Sequence, residues 1–323
     1  MHPLRYLLHH APRFEEEGIL PLSREVLVSE SAPSSNLTKV GCLILAGGQG
    51  TRLGFKGPKG CTLIPGLNQT LFEHLLRKVK MKGENLPVAI MTSPLNHEET
   101  KAYLSKHHYF GLSNLSLFSQ EMVDVCNARG ELIDSMQSPD GNGRALFSLQ
   151  SSGILKEWKQ GGVQFVQVIP IDNPLAEPFD GELLSLHEQE GVDLALRAVV
   201  RQGLSDKIGV IGLRNQRLTI CEYSELPERL KHEDFLYGNS GLFSLSISLI
   251  EKLLHLKLPW HLAKKKIEGR EVIKFETFIF DLFPHAPTFK VLISERKKHF
   301  APIKNLRGLD SLESVSKTHF LAP

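Results

Sequence analysis

Four glycines and two basic side chains follow one apolar run near the beginning of the chain. The glycines are Gly47, Gly48, Gly50 and Gly54, and the basic residues are Arg52 and Lys59. A glycine loop lets backbone N–H groups approach an anion closely, because no Cβ stands in the way. The two cations add full positive charge at the same place, which suits a triphosphate. We therefore expect a polyphosphate site here; the alternative is a glycine-rich turn without a ligand.

Two common phosphate loops do not fit this stretch. A Walker A loop needs Gly-Lys-Ser/Thr at the start of a helix, and no such tripeptide follows Gly54. The dinucleotide pattern G-x-G-x-x-G begins at Gly48 but meets Leu53 where its third glycine is required. The sequence also lacks the acid that an NAD site places at the end of the next strand. A dinucleotide oxidoreductase is therefore a disfavoured alternative.

Two further polar residues follow apolar runs. The Gln120 amide can donate and accept together, so it could bind a pyrimidine edge, although an exposed loop glutamine is the common alternative. Asp172 follows the apolar run 163–169. A carboxylate there suits Mg²⁺, which takes one or two carboxylates with phosphate oxygens and water. A helix cap or a salt-bridge partner is the alternative for Asp172.

Strand-like and helix-like segments alternate along the chain. Apolar runs predict strands at 42–46, 86–91, 115–118, 163–169, 194–200 and 208–212. Helical spacing predicts helices at 68–80, 98–107, 151–159 and 183–190. This order predicts an α/β fold with a mostly parallel sheet, helices on both faces and ligands at the carboxyl ends of the strands.

Composition narrows the class of protein. The chain has 323 residues, a formal net charge of +2, 41% hydrophobic and 23% charged residues. That size suits one α/β domain with appendages, and the near-neutral charge disfavours a nucleic-acid surface. We expect the Lys264–Lys266 cluster to be a solvated helix end.

Cysteine usage and the apolar runs indicate the compartment. The four scattered cysteines form no C-x-x-C pair, which favours reduced thiols over disulfides or zinc. The sequence has no run with the apolar length of a membrane span, and its first residues do not form a signal peptide. The expectation is a cytoplasmic protein.

The motif L-A-G-G-Q-G-T-R-L-G-F-K-G-P-K at residues 45–59 resembles that of the eukaryotic-type UDP-sugar pyrophosphorylases, and especially their UDP-N-acetylhexosamine branch. Similar motifs follow at P-D-G-N-G (139–143), I-D-N (171–173), K-I-G-V (207–210), C-E-Y-S-E-L (221–226) and F-A-P-I-K-N (300–305). The resemblance covers roughly residues 40 to 315. It implies a Rossmann-like nucleotidyltransferase sheet in a catalytic domain at 40–323, after an N-terminal segment at 1–39. The sugar-binding part falls mainly in 190–310. It also implies a short form that lacks much of the usual terminal extensions.

The resemblance also implies a role for individual residues. It assigns the phosphates and catalysis to Arg52, Lys59 and Lys304; UTP to Gly47, Gly48, Gly50, Gln120 and Gly141; the sugar to Asn142, Gly209, Glu222, Asn239 and Lys274; and Mg²⁺ to Asp172. Without it, P-D-G-N-G would indicate only a turn, Glu222 a surface acid and the lysines solvated side chains.

The resemblance implies a uridylyltransferase that converts UTP and N-acetylglucosamine 1-phosphate to UDP-N-acetylglucosamine and pyrophosphate. The residues after Asn239 differ from the family pattern, so glucose 1-phosphate, N-acetylgalactosamine 1-phosphate or a broad specificity stays open. A nucleotide-binding protein without turnover is the alternative from another class. No nucleic acid, membrane or obligate protein partner is expected.

Overall fold

The computed structural model describes residues 18–203, 206–223, 226, 228, 234–267, 269–308 and 310–315, with only the backbone of 266 and 267. Part of the predicted N-terminal segment, residues 1–17, therefore lies outside the described residues. The strands are β1 (Ile19–Leu20), β2 (Leu27–Val28), β3 (Val40–Leu45), β4 (Leu63–Ile64), β5 (Gln69–Thr70), β6 (Val88–Thr92), β7 (Leu115–Ser119), β8 (Met122–Cys126), β9 (Leu132–Pro139), β10 (Phe165–Pro170), β11 (Leu194–Val200), β12 (Val210–Arg214), β13 (Arg217–Cys221), β14 (Tyr237–Ser246), β15 (His261–Ile267), β16 (Arg270–Glu276) and β17 (Phe289–Ser294). The α-helices are α1 (Leu71–Lys82), α2 (His97–Lys106), α3 (Ala145–Ser151), α4 (Ile154–Gln160), α5 (Gly181–Glu190), α6 (Ile247–Leu253), α7 (Arg296–His299) and α8 (Leu312–Val315).

The central sheet is mixed but mostly parallel. Its strands lie in the order β2-β17-β11-β14-β10-β3-β6-β7. β14 runs antiparallel to both of its neighbours, and the other neighbours in this order are parallel. β3 and β10 pair in parallel up to Leu45 opposite Pro170. The loops that begin at Ala46 and Ile171 therefore leave the sheet side by side, at the same edge.

Alternate residues of β3 face two hydrophobic cores. Leu43 packs in a core with helices α3, α4 and α6, whereas Cys42 and Ile44 pack in a core with α1. All three side chains are fully buried. Because successive residues of a strand point to opposite faces, helices must cover both sides of the sheet. The predicted α/β fold, with helices on both faces, is confirmed.

A second, four-stranded sheet has the order β15-β16-β8-β9. It meets the central part of the molecule where Thr277, directly after β16, forms a β-bridge with Gly141. Strands β12 and β13 form an antiparallel hairpin, and β12 also pairs with β1 and with β14. These additions to the parallel strands bring the later half of the chain to the carboxyl edge of the sheet.

Two local expectations were wrong. The helix predicted at 151–159 is two helices, α3 and α4, because Gly153 has a φ of +87° and so leaves the right-handed helical conformation. The lysines from Lys264 to Lys266 lie in strand β15 and not at a helix end. Three consecutive lysines break the alternation of polar and apolar residues that would predict a strand there.

Candidate active site

The loop after β3 is fixed from the neighbouring strand β6. Ser93 Oγ donates to the carbonyl of Gly47 (2.8 Å), and Asn96 Nδ2 donates to the carbonyls of Ala46 (3.0 Å) and Gly48 (3.1 Å). Asn96 is 1% exposed. Sequence reasoning missed both anchors, because a Ser and an Asn in the loop after a strand indicate only a turn. Three consecutive loop carbonyls are therefore satisfied by side chains.

The N–H groups of the same loop remain available to a ligand. Gly47 and Gly48 have no hydrogen-bond partner for their N–H groups within the described part of the chain. Further along, the loop closes on itself, since Gly50 N–H donates to the carbonyl of Gly57 at 2.9 Å. Free N–H groups beside fixed carbonyls form an anion-binding concavity. This geometry fits the predicted phosphate loop.

Lys59 joins this phosphate loop (residues 46–59) to the loop after β10. Its N–H donates to the carbonyl of Gly48 (3.0 Å), and its Nζ lies 3.0 Å from Asp172 Oδ2. Burial of the Asp172 carboxyl acts to raise its pKa, but the Lys59 ammonium, with help from Lys304 and Arg52, outweighs burial and holds the pKa below its usual value. Asp172 is thus both ionised and a salt-bridge partner. Its predicted metal role stays a prediction, and the ionised carboxylate is the form that a metal ligand takes.

Gln120 lies against the start of the phosphate loop. A Cβ added to Gly47 would come within 2.3 Å of Gln120 Oε1. Gln120 is 7% exposed, and its N–H donates to the carbonyl of Thr92 at 2.9 Å. The alternative of an exposed loop glutamine is therefore wrong. Gly47 leaves the space in which the Gln120 amide sits beside the loop.

The P-D-G-N-G turn is held from the second sheet. Gly141 has a φ of +88°, and a Cβ there would lie 2.3 Å from the carbonyl oxygen of Thr277, so only glycine fits. The Asn142 side-chain oxygen accepts from the N–H of Ile279 at 3.1 Å. This bond fixes the Asn142 side chain at the rim of the cleft described below.

The side chain of Asp140 in this turn is buried, without a hydrogen bond from any described residue. It is 2% exposed, and neither of its carboxylate oxygens has a hydrogen-bond partner within the described ranges. The nearest cation is Arg144, whose Nε lies 3.9 Å from Oδ2. Burial, with the charge of Glu121 nearby, outweighs Arg144 and raises the pKa of Asp140 to about 6.

A cleft of about 190 Å³ lies at the carboxyl edge of the sheet. The predicted site residues that line it are Asn142, Asp172, Gly209, Glu222, Asn239 and Lys304. Gly209 leaves room for the Glu222 carboxylate, since a Cβ there would come within 2.9 Å of Glu222 Oε1. The cleft also has apolar walls, which include Phe243, Ile279 and Phe280. Side chains that could bind hydroxyls thus share one cavity with the Asp172 carboxylate and the Lys304 ammonium.

Lys304 enters the cleft from the segment after α7. Its Nζ lies 3.5 Å from the carbonyl of Lys207, 3.8 Å from Asp310 Oδ2 and 5.9 Å from the centre of the Tyr223 ring. These weak contacts leave the ammonium able to turn toward an anion near Asp172.

The remaining predicted residues lie outside the cleft lining. Gly47, Gly48, Gly50, Lys59 and Gln120 surround the adjoining phosphate loop, and Gly141 precedes Asn142 in the chain. Arg52 is exposed in the same loop, and its charge acts on Asp172. Lys274 lies on β16 and pairs with Glu276 at 2.8 Å, and it is not among the described residues that line the cleft. Its predicted sugar contact stays a prediction.

The Asp172 loop is also held by helix α1, which sequence reasoning missed. His74 and Lys78 both meet the carbonyl of Pro174 at 3.0 Å, and Lys82 donates to the carbonyl of Phe179 at 3.0 Å. Burial, with Lys78 nearby, lowers the pKa of His74 to about 4, so the ring is neutral at pH 7. A spacing of four residues puts these three side chains on one face of the helix. That pattern is the sequence feature that could have indicated a shared contact.

Other features of the described residues point to no second site. A larger cavity of about 510 Å³, lined by Leu86 and Trp158 among others, lies at the amino ends of the strands and contains none of the predicted site residues. Across the described ranges, no three His, Cys, Asp or Glu side chains converge where they could hold a metal ion. No helix in the described part is long and apolar enough to cross a membrane.

Comparison with known proteins agrees with this geometry. The sequence matches the family "UTP--glucose-1-phosphate uridylyltransferase" over residues 10–318. It is similar to UDP-N-acetylglucosamine diphosphorylase 1 of Arabidopsis thaliana, with 32% identity over 86% of this chain and 63% of that protein. It is also similar to UDP-N-acetylglucosamine pyrophosphorylase of Saccharomyces cerevisiae, with 30% identity over 89% of this chain and 71% of that protein.

A solved structure shares the fold. The structure of a putative UDP-N-acetylglucosamine pyrophosphorylase from Entamoeba histolytica superimposes with a TM-score of 0.80 and 27% identity, over 87% of this chain and 80% of that one. The chain spans less than two thirds of the Arabidopsis relative's length. The family match covers nearly the whole chain. This chain therefore belongs to the UTP–glucose-1-phosphate uridylyltransferase family.

Proposed function

We propose that this chain catalyses the transfer of a uridylyl group from UTP to N-acetylglucosamine 1-phosphate, giving UDP-N-acetylglucosamine and pyrophosphate. One observation carries the proposal: the 3.0 Å contact between Lys59 and Asp172 joins the phosphate loop to a cleft that Asn142, Glu222 and Asn239 also line. A phosphate-binding loop that meets a cleft with hydroxyl-binding side chains suits the joining of a nucleotide to a sugar phosphate. The names of the Arabidopsis and yeast relatives support the acetylated sugar.

In the proposed reaction, a phosphate oxygen of the sugar 1-phosphate forms a bond to the α-phosphorus of UTP. The bond from that phosphorus to the oxygen bridging to the β-phosphate breaks, and pyrophosphate leaves. The attacking oxygen is already an anion, so the reaction needs no general base. The protein must instead bring two anions together and stabilise the charge that develops between them.

Each part of the site has a task in this scheme. The N–H groups of Gly47 and Gly48 and the ammonium of Lys59 bind the UTP phosphates, and Gln120 beside them binds the base. Lys304 lines the same cleft as Asp172. Its charge offsets the repulsion between the two substrates.

Asp172 fits the predicted Mg²⁺. Its carboxyl is ionised and partly exposed to the cleft. With one carboxylate at hand, most ligands of the ion would be phosphate oxygens and water, which is the usual pattern for Mg²⁺ with nucleotides. When bound, Mg²⁺ supplies charge neutralisation at the phosphates. We also propose a cytoplasmic location, because all four cysteines are free thiols.

Pyrophosphate release from UTP with a panel of sugar 1-phosphates tests the function. We expect the highest kcat/KM with N-acetylglucosamine 1-phosphate, and higher values with glucose or N-acetylgalactosamine 1-phosphate would replace the proposed sugar. UTP binding without pyrophosphate release would overturn the proposal in favour of a binding protein. Asp172→Asn, which keeps the side-chain shape, controls for a contaminating activity and should be inactive.

A further inference from the structure

We infer that Asn173 is a positioning residue that sets Lys304 against Asp172. The inference rests on the proposed function for its catalytic consequence, but its structural basis is independent. Asn173 is 1% exposed and lines the base of the cleft beside Asp172. No role was expected for its side chain from the sequence, where an Asn after a strand end indicates only a turn.

The Asn173 side-chain amide hydrogen-bonds to the backbone of the segment that leads to Lys304, as a neighbouring strand would. Its Nδ2 donates to the carbonyl of His299 at 2.7 Å, and its Oδ1 accepts from the N–H of Ala301 at 3.1 Å. Oδ1 also accepts from the N–H of Leu175 at 3.2 Å, which fixes the amide within its own loop. One buried amide therefore holds two separate stretches of backbone at a defined distance.

The backbone of the neighbouring residue, Asp172, also binds the segment that leads to Lys304. Ile303 N–H donates to the carbonyl of Asp172 at 2.7 Å. The segment 300–304, called here the Lys304 arm, alternates: Phe300, Pro302 and Lys304 line the cleft, while the N–H groups of Ala301 and Ile303 bond to residues 173 and 172. The alternation is that of an extended strand.

This geometry makes the position of Lys304 depend on the Asn173 amide. Among the described residues, the Lys304 ammonium lies 3.5 Å or more from Lys207 and Asp310 and 5.9 Å from the centre of the Tyr223 ring, so these contacts do not fix it closely. Its backbone is held on one side by the bonds of the arm to residues 172 and 173, and on the other by its own N–H, which donates to the carbonyl of Asp310 at 2.7 Å. A displacement of about 1 Å at a reacting group can cost about 100-fold in rate.

A double-mutant cycle on pyrophosphate release tests the inference. We expect Asn173→Ala to lower kcat by about 10- to 100-fold, which is the loss seen at metal sites when a residue that orients a metal ligand is removed. If Asn173 acts through Lys304, the variant Asn173→Ala/Lys304→Ala should be no slower than Lys304→Ala alone. Effects that multiply would overturn the inference and leave Asn173 a structural residue.

Ser246→Ala is the matched control for a purely structural loss. Ser246 caps helix α6 by accepting from the N–H of Leu249 at 3.2 Å, on the opposite edge of the sheet from the cleft. Ser246→Ala should lower kcat only slightly. In the double variant Ser246→Ala/Lys304→Ala, the two factors by which kcat falls should multiply. If Asn173→Ala does not accumulate as folded protein, Asn173→Asp takes its place in the cycle, since it keeps the acceptor for Ala301 and loses the donor to His299.

Hydrogen exchange gives a readout that does not need turnover. In Asn173→Ala, the amides of Ala301 and Ile303 should exchange at least about tenfold faster than in the wild type and in Ser246→Ala. Unchanged protection of both amides would overturn the inference even in an active enzyme. Should the wild type bind UTP without releasing pyrophosphate, the proposed function fails, and the same cycle measured on the Kd for UTP then decides the role of Asn173.

Discussion

Lys59→Met removes one positive charge from the junction of the phosphate loop with Asp172 and keeps most of the side-chain volume. Lys59 is 9% exposed, and its Nζ lies 3.0 Å from Asp172 Oδ2. The carboxyl side is partly open to the cleft, so the ion pair contributes about 1 kcal/mol or less to stability. We therefore expect Tm to fall by no more than about 4 °C. The fold should persist.

Turnover should respond far more strongly than stability. A preorganised charge aimed at the developing transition-state charge contributes about 2–4 kcal/mol. At 1.36 kcal/mol for each factor of ten, kcat should fall by about 30- to 900-fold. The same substitution removes the main cation that lowers the pKa of Asp172, so that pKa should rise.

Steady-state pyrophosphate release and thermal unfolding measure both effects on the same preparation. Lys56→Met is the matched control, because Lys56 is an exposed lysine in the same loop. It should change kcat by less than about threefold if charge acts locally. Near-normal turnover in Lys59→Met would refute the assignment of Lys59 to the transition state. Equal losses in both variants would show a general effect of net charge and would refute it as well.

Three further substitutions test separate parts of the site. Gly47→Ala should fold but raise the KM for UTP by about tenfold, because the new Cβ meets the movable end of Gln120 at 2.3 Å; combined with Gln120→Ala, the two effects should not multiply. Glu222→Gln should raise the KM for the sugar 1-phosphate by about tenfold and leave the Kd for UTP unchanged in calorimetry. Asp140 has its pKa raised from 3.8 to about 6, so the folded state binds this proton more tightly than the unfolded chain, and the free energy of unfolding falls as pH rises between those values. Asp140→Asn should therefore be more stable than the wild type in urea unfolding by up to about 3 kcal/mol at pH 7.5, with no gain at pH 3.5.

Much of the fold followed from local sequence patterns. The apolar runs around Cys42 and Val88 predicted strands because parallel strands with helices on both faces bury every residue. The order of the strands did not follow, since β14 enters the centre of the sheet antiparallel, more than 65 residues after β10 in the chain. Local periodicity carries no information on which strand a segment will pair with.

Some residues of the candidate site could likewise be predicted from the sequence, and others could not. Gln120 and Asp172 could be predicted because polar residues at the carboxyl ends of parallel strands meet at one sheet edge. The contact of Lys59 with Asp172 joins residues 113 apart in sequence, and no spacing rule reaches that far. Asn173 and Asn96 act through backbone groups of distant segments, so their types and neighbours alone indicate only turns.

The arrangement around Asp172 also explains how three cations can share a site before substrate arrives. Arg52, Lys59 and Lys304 all act on this one carboxyl, and the three positive charges repel one another. Asp172 offsets that repulsion and is itself tied by its carbonyl to Ile303. In the proposed reaction, the triphosphate of UTP supplies far more negative charge than one carboxylate, so the cations can turn to the phosphates while the backbone bonds hold their spacing. Under that proposal, the Asp172 loop preorganises the charges of the site, and the substrate completes their neutralisation.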